Sequence, residues 1–410
     1  MGVYRKVAVG IFIFLSVGIF IYAGSPQWGF FAHRRINRLA VFTLPEQMFP
    51  LFKTNIDFLT EHAVDPDRRR YAFRLEAPRH FLDLDRYEGS CLPRSLTEGF
   101  SSYSFLRFIR ASDTLSIHVA DSSWCNEDVL ATVIAGDKVF YFPKSQIRKL
   151  YGFQVLPAYY NQNYALLPDS FKLFSMAMNF TPEKIIFEDH FSEHGLVPYI
   201  VKQQYEKLVK AFIVRDAASI INIAADIGHY IADAHVPLHA CSNYNGQKSD
   251  QLGIHAFWES RIPELFADET YDFLVGRSHY IRDVDAYIWK VVHESGQLSD
   301  SVLLLESKLK AQYPRNKQMC FEERLGKPVW TQCADYAAAY QQIMNGMVEV
   351  RMRQAIVGVG SLWYSAWVDA GKPDLDMSKE VRVQWMVDSS VVKGDALMKS
   401  GSKGFGRSHE

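Results

Sequence analysis

Most of the chain alternates apolar and polar side chains with the period of an α-helix. Six stretches show this spacing: residues 29–42, 46–62, 198–214, 217–235, 256–261 and 283–295. Asp216 stands at the N-cap position of the fourth stretch and Pro237 follows its end, which are the start and stop signals of a helix. Residues 334–369 add a long amphipathic helix that ends in an apolar run. The pattern predicts an all-α fold built as a multi-helix bundle.

The apolar run over residues 361–368 has two interpretations. It has few flanking basic residues, whereas helices that lie on membrane surfaces are rich in them. We therefore expect this run to pack against the helical bundle, and membrane contact is the alternative.

Residues 96–184 interrupt the helical pattern. Strand-like alternation is found over 115–119, 131–134 and 138–142, and Ala-Gly-Asp joins the last two stretches. A short turn between two such runs predicts a β-hairpin, which would form a lid or a small inserted subdomain. The many aromatic residues of this insertion fit either a packed core or a wall that faces a substrate.

The first 27 residues form a separate segment. Arg5 and Lys6 precede an apolar run over residues 7–23, which exceeds the usual core of a signal peptide and just reaches the length of a membrane span. Residues 1–27 are therefore predicted to be a signal peptide or an N-terminal anchor, and either one exports the chain. Residues 28–371 are predicted to form the main helical domain, and residues 372–410 are predicted to form a polar tail that is partly disordered from about Ser400.

Cysteine usage is compatible with export. Cys91 and Cys125 lie in one stretch, Cys320 and Cys333 lie in another, and Cys241 is left over. Two local disulfides are possible in an oxidising compartment, and spacing alone does not fix the pairing.

Composition sets wider bounds on the function. Hydrophobic residues make up 48% of the chain, which is enough for a large buried core. The formal net charge of -1 argues against a dedicated duplex-binding protein, because such proteins usually have a basic surface. An enzyme that acts on short or single-stranded nucleic acid is still compatible with this charge.

Two pairs of metal-ligand residues are spaced four apart. His229 precedes Asp233, and His255 precedes Glu259, so each pair shares one face of a helix and can close on one metal ion. Imidazole nitrogen and carboxylate oxygen together suit zinc. The sequence therefore predicts a site that holds more than one metal ion.

The two histidines after the first pair have different predicted roles. Pro237 ends or kinks the helix just before His239, which allows this histidine to face a different metal ion from His229. His235 points away from the face shared by His229 and Asp233, and we interpret it as a structural residue.

Further candidate ligands stand earlier in the chain: Trp28, His33, Asp65 and His80. With the later residues they give the order Trp…His, Asp, His, His-x-x-x-Asp-x5-His, His-x-x-x-Glu. This order resembles the zinc-dependent phospholipase C family and equally its sister family, the single-strand-specific zinc nucleases, over residues 28–95 and 185–265. Both are all-helical enzymes that hold three zinc ions in one cleft and hydrolyse phosphate esters. The resemblance therefore implies a helical bundle around a trinuclear zinc cleft.

The resemblance also implies how the ligands divide among two to three zinc ions. The first zinc would be held by Asp65, His80, His229 and Asp233. A second zinc close to it would be held by Trp28, His33 and the shared Asp233. The third, slightly apart, would be held by His239, His255 and Glu259.

The same resemblance implies two catalytic residues. Asp65 would orient or deprotonate the attacking water besides binding zinc, and Arg68 would neutralise charge that develops on the phosphate. The alternative for Arg68 is a surface arginine in a run of three. In these families the tryptophan opens the mature chain and its amine binds zinc, whereas here residues 1–27 precede Trp28.

Sequence features indicate two classes of substrate. Phe81 and Asp83 follow His80 as in the nucleases, where the ring stacks on a base and the aspartate binds its edge; the alternatives are a buried ring and a helix-end carboxylate. Glu259 and the short loop over 241–253 are more similar to the phospholipases.

We therefore expect an exported, phospholipase C-like phosphodiester hydrolase that acts on phospholipid. The alternatives are a single-strand-specific nuclease or 3'-nucleotidase, and a non-catalytic exported metal-binding protein.

Overall fold

The structure, a computed structural model, describes residues 30–87, 89–324, 327–375 and 388–407. Helices predominate in these ranges, which confirms the helical part of the predicted fold class, but a sheet is also present. The predicted signal peptide or anchor over residues 1–27 lies outside the described residues, and so do Trp28 and residues 376–387 of the tail.

The helices of the first half are α1 (Phe30–Ala40), α2 (Phe49–Thr54), α3 (Ile56–Glu61), α4 (Asp65–Arg69), α5 (Leu96–Tyr103), α6 (Lys144–Leu150), α7 (Leu156–Tyr160) and α8 (Lys172–Met178). Those of the second half are α9 (Val197–Val214), α10 (Ala217–Ala234), α11 (Ile254–Ala256), α12 (Ile262–Thr270), α13 (Val284–Gln312), α14 (Ala334–Ile343), α15 (Met347–Asp369) and α16 (Ser389–Lys399). The helices predicted over 198–214 and 217–235 correspond to α9 and α10. The helix predicted over 46–62 is divided into α2 and α3 at Asn55.

Helix α10 lies in the middle of the bundle and packs against α1, α9 and α15. Asp216 caps it as predicted, since its carboxylate accepts hydrogen bonds from two backbone amides of the first turn at 3.1 and 3.2 Å. Gly228 allows α1 to approach, because a Cβ atom there would lie 2.0 Å from Oδ1 of Asn37. Every residue from 227 to 234 is buried, and each large aliphatic side chain among them contributes roughly 1.5–3 kcal/mol. The helix that carries His229 and Asp233 is therefore firmly held.

The insertion forms a subdomain around a six-stranded antiparallel sheet with the order β4-β3-β2-β1-β6-β5. Its strands are β1 (Phe105–Arg110), β2 (Asp113–Val119), β3 (Leu130–Ala135), β4 (Lys138–Pro143), β5 (Ala165–Leu166) and β6 (Lys184–Glu188). The predicted hairpin is confirmed as β3 and β4, with Val133 opposite Phe140. The all-α prediction is incomplete, because β1 also pairs with the distant β6, Phe105 opposite Glu188.

The aromatic residues of the insertion mainly fill its core. Tyr151 and Tyr159 are 1% and 2% exposed and belong to the same hydrophobic core as Phe142. Tyr141 and Phe153 are instead 66% and 70% exposed. The core interpretation therefore holds for most of these rings, and a few face solvent.

Two elements near the end of the chain were not predicted. Strands β7 (Met319–Arg324) and β8 (Lys327–Gln332) form a separate two-stranded hairpin in which Phe321 lies opposite Trp330. Helix α16 lies in the tail and packs against α4. The expectation of disorder from about Ser400 is wrong for residues 400–407, because backbone and side-chain contacts hold them against the bundle.

The apolar run over 361–368 packs inside the bundle, as predicted. Trp363 is fully buried and its indole N–H donates to the backbone carbonyl of Ala224 at 3.0 Å. Among the described residues, no helix combines the length and hydropathy that are required to cross a bilayer. Cys91 and Cys125 form a disulfide, which is one of the two local pairs considered possible, whereas Cys320 and Cys333 carry free thiols.

Candidate metal centre

Seven of the predicted ligands converge in one buried region of the bundle: His33, His80, His229, Asp233, His239, His255 and Glu259. Two turns of 3₁₀ helix, Arg74–His80 and Pro237–Ala240, deliver His80 and His239 to this region. Glu259 lies in a π-helical turn, a departure from the α-helix that is frequent at functional sites. The side chains form three groups that are each compact enough to hold a metal ion.

The first group surrounds Nε2 of His229. This atom lies 3.0 Å from Nδ1 of His80 and 3.1 Å from Oδ2 of Asp233. Nδ1 of His229 lies 2.8 Å from the backbone carbonyl of Ala63. Because a carbonyl only accepts hydrogen bonds, Nδ1 carries the hydrogen, and the Nε2 lone pair of the neutral ring points into the group.

The second group, His33, His229 and Asp233, shares His229 with the first, and Asp233 contacts histidines of both groups. Oδ1 of Asp233 lies 3.4 Å from Nε2 of His33, whereas Oδ2 lies 2.9 Å from Nδ1 of His80. The two oxygens of one carboxylate thus face two different groups of histidines. Trp28, the remaining predicted ligand of this group, lies outside the described residues.

The third group has the tightest geometry. Nε2 of His239 lies 2.9 Å from Nε2 of His255, and Oε2 of Glu259 lies 3.2 and 2.9 Å from these two nitrogens. Nδ1 of His239 donates to the backbone carbonyl of His80 at 2.6 Å, so the lone pair of Nε2 in the neutral ring faces the other two ligands. Such a convergence of lone pairs is the arrangement that a cation requires.

Burial and charge act in opposite directions on these groups. Burial lowers the pKa of His33 to about 4, and the neighbouring His229 adds to this effect. Burial also disfavours the charged form of His229, but Asp233 and Asp67 outweigh it and raise its pKa to about 9. Likewise, His229 and His239 outweigh burial and hold the pKa of Asp233 well below its usual range. The buried negative charge of Asp233 therefore has to be balanced by a positive charge, which is either a proton on a neighbouring histidine or a metal ion.

Asp67, rather than Asp65, completes the first group. Oδ1 of Asp67 lies 3.9 Å from both His80 and His229. The carboxylate of Asp65 instead contacts Nδ1 of His62 at 2.5 Å and Arg68 at 3.0 Å. The prediction that Asp65 belongs to this group is therefore corrected, because its side chain is engaged on another face of α4.

Arg68, which was predicted to neutralise charge on the phosphate, lies away from the metal groups. The guanidinium of Arg68 forms an ion pair with Asp65, and its Nε lies 3.8 Å from Oδ1 of Asp395. Arg70 lines a small cavity together with His80, His239 and His255. The structure therefore does not bring Arg68 to the metal groups, and it places Arg70 beside them.

Glu76 stands behind His80 and was not predicted. Its carboxylate lies 4.0 Å from Nε2 of His80 and 3.3 Å from the guanidinium groups of Arg69 and Arg79, and it accepts a hydrogen bond from Tyr230. Carboxylates behind a ligating histidine fix the orientation of its ring. The i,i+4 spacing from Glu76 to His80 is the signal that would have indicated this role.

Phe81 and Asp83 flank the same cavity. Phe81 lines it directly, and both side chains are largely buried. Asp83 forms an ion pair with Arg407, whose guanidinium carbon lies 3.4 Å from the centre of the Phe81 ring. These two predicted substrate residues therefore hold a planar cation together.

The donor set fits zinc better than a hard cation. Neutral imidazoles with one or two carboxylates are typical of zinc, whereas calcium and magnesium prefer oxygen-only sites. Nδ1 of His33 is buried without a hydrogen-bond partner in the structure.

No family model, no curated protein and no solved structure matches the chain.

Proposed function

We propose that the chain is an exported zinc-dependent phosphodiester hydrolase of the phospholipase C type. The convergence of His239, His255 and Glu259 within 3.2 Å, beside two further groups that share His229, carries this proposal. Clustered metal sites of this composition are used to cleave phosphate esters.

The neighbouring side chains suit that chemistry. Bound zinc ions would lower the pKa of a water molecule and hold the phosphate oxygens. Asp233, with its oxygens turned to two groups, fixes the spacing of two adjacent sites. Arg70, at the edge of the cavity, is placed to donate hydrogen bonds to a phosphate in the transition state.

The mouth of the cavity supports a phospholipid head group as the substrate. The rings of Phe81 and Tyr244 lie 3.4 and 4.6 Å from the guanidinium carbon of Arg407, which also pairs with Asp83. Two aromatic rings and a carboxylate around a cation are the recognition mode of choline-like ammonium groups. Tyr244 belongs to the short loop over residues 241–253 that is similar to the phospholipases.

The single-strand-specific nuclease is the second candidate. Guanidinium is flat as well as charged, so the same contacts with Phe81 and Asp83 would accept an unpaired base by stacking and by hydrogen bonds to its edge. One zinc-loaded sample assayed on phosphatidylcholine vesicles and on single-stranded DNA separates the two. We expect release of phosphocholine, and cleavage of DNA without it would establish the nuclease.

The non-catalytic metal-binding protein is the remaining alternative. Zinc-loaded protein that fails to cleave bis-nitrophenyl phosphate, phospholipid and DNA would favour it. The position of Arg70 beside the metal groups argues against it, since storage of zinc does not require a phosphate-binding cation.

Export is part of the proposal. The disulfide between Cys91 and Cys125 supports an oxidising compartment, because such bonds rarely persist in the cytosol. N-terminal sequencing of the native protein is the test. A start at Trp28 would supply a free amine for the second zinc site, and a start at Met1 would indicate a retained anchor.

A further inference from the structure

Helix α16 docks on α4 through close backbone contact. A Cβ atom at Gly394 would lie 1.9 Å from the backbone carbonyl oxygen of Arg68. Met398 is 6% exposed and packs with Phe30 and Val64. Ion pairs from Arg68 to Asp395 at 3.8 Å and from Arg69 to Asp388 at 3.7 Å flank this contact. Helix α16 is thus attached to the helix that carries Asp67 of the first metal group.

Beyond α16, the chain continues across the cavity. The amide of Phe405 donates to the carbonyl of Arg70 at 3.0 Å, and Arg70 donates back to the carbonyl of Arg407 at 2.5 Å. Gly406 adopts a φ of +78°, and a Cβ atom there would lie 2.5 Å from Cβ of Ala77. This close approach seats residues 405–407 against the turn that ends at His80.

Arg407 is the deepest contact of this segment. Its guanidinium lies between the rings of Phe81 and Tyr244, forms an ion pair with Asp83 and donates to the carbonyl of Cys241 at 3.4 Å. A side chain with this many partners is specifically bound. The partners also include both residues assigned to substrate binding.

The segment forms a wall of the metal cavity itself. Phe405 and Arg407 line the same cavity as His80, His239 and His255. A phosphate ester bound at these histidines would therefore share the cavity with the side chains of Phe405 and Arg407.

We propose that segment 388–407 is a built-in competitor of the substrate, which closes the cleft by placing Arg407 in the substrate-binding position. This inference rests on the proposed function, since it concerns access to the same site. The structure is the closed form, and activity requires the segment to leave. Arg407 imitates the part of the substrate that Phe81 and Asp83 recognise.

The test compares three full-length, zinc-loaded variants. Gly394→Val places side-chain atoms where the carbonyl of Arg68 lies and detaches α16, and Arg407→Ala removes the competing group. Val392→Ala is the matched control, because Val392 is 56% exposed on the same helix. Hydrogen exchange of the α16 amides reports whether the segment has left.

The first readout does not depend on catalysis. Inorganic phosphate, titrated calorimetrically, is expected to bind Gly394→Val and Arg407→Ala about tenfold more tightly than wild type, the effect of losing one charge-assisted contact. Val392→Ala is expected to match wild type. Equal affinity in all four proteins, or weaker binding by Arg407→Ala, would overturn the closure; the latter would make Arg407 a phosphate ligand.

The second readout uses a peptide that spans residues 388–407. Added to Gly394→Val, the native peptide is expected to weaken phosphate binding and to slow hydrolysis of bis-nitrophenyl phosphate, whereas a peptide with Arg407→Ala is not. If both peptides act equally, Arg407 is not the competing group. If phosphate affinity changes as expected but no variant cleaves a phosphodiester, the proposed function fails and the closure stands.

Discussion

Asp67 and His229 face each other inside the bundle, with Oδ1 of Asp67 3.9 Å from Nε2 of His229. Asp65, two positions earlier, is turned to His62 and Arg68. Successive residues of a helix differ in direction by about 100°, so two carboxylates that are two positions apart on α4 point to nearly opposite sides. The orientation of α4 about its axis, rather than residue type, therefore determines that Asp67 and not Asp65 contacts the metal group.

Asp67→Asn is therefore expected to lower the zinc content by one ion per chain, because it removes a negative charge from the group of His80 and His229. Asp65→Asn is the matched control and is expected to keep its zinc. Elemental analysis after purification in excess zinc is the measurement. Loss of zinc from Asp65→Asn alone would restore the ligand assignment that the sequence suggested.

Asp233→Asn is expected to lose more zinc than His33→Ala. The two oxygens of Asp233 face His33 on one side and His80 on the other, so the substitution weakens two groups, whereas His33→Ala weakens only one. The group of His239, His255 and Glu259 is expected to retain its ion in both variants. Equal losses in the two variants would contradict the shared carboxylate.

The ligand pairs spaced four apart could be predicted from the sequence because helix geometry is local. His229 with Asp233 and His255 with Glu259 each meet at one group. In contrast, Asp67 and Arg70 depend on how α4 is rotated against α10, and nothing in the local sequence determines that rotation.

The same distinction holds for the fold. The hairpin of β3 and β4 has a short turn, in which Gly136 adopts a φ of +60°. The sequence predicted this hairpin because the turn and both strands are adjacent in the chain. The pairing of β1 with β6 joins strands that are distant in sequence. Helix α16 has a polar composition, and its docking depends on Met398 and Gly394 meeting distant partners. Tertiary contacts of this kind leave no periodic signal.

Removal of the disulfide is expected to destabilise the insertion. Cys91 and Cys125 enclose a separation of 34 residues, for which the loss of the cross-link costs about 3–4 kcal/mol of unfolding free energy. The double variant Cys91→Ser/Cys125→Ser tests this by denaturant unfolding. Cys320→Ser/Cys333→Ser is the matched control, since these thiols are free, and an equal loss there would contradict the pairing.

His235 lies between the metal groups in sequence but serves the core, as predicted. His235 is 3% exposed, and its Nδ1 donates to the backbone carbonyl of Ile231 at 2.7 Å. The backbone carbonyl of His235 accepts a hydrogen bond from Nε of Arg351 at 2.9 Å. Burial, reinforced by the charge of Arg351, lowers the pKa of His235 to about 3. The folded protein therefore resists protonation of this ring.

This shift gives His235 a defined effect on stability. Since the pKa in the folded state is depressed below the unfolded value of about 6.5, the contribution is fully present above pH 6.5 and is lost as the pH falls toward 3. At pH 5 the loss amounts to about 2 kcal/mol.

His235→Gln does not titrate, so its unfolding free energy is expected to fall by about 2 kcal/mol less than that of wild type between pH 7.5 and pH 5. Denaturant unfolding at both pH values measures the difference, and His293→Gln, at an exposed histidine, is expected to behave like wild type. A wild-type pH dependence in His235→Gln would show that the pKa of His235 is the same in the folded and the unfolded protein.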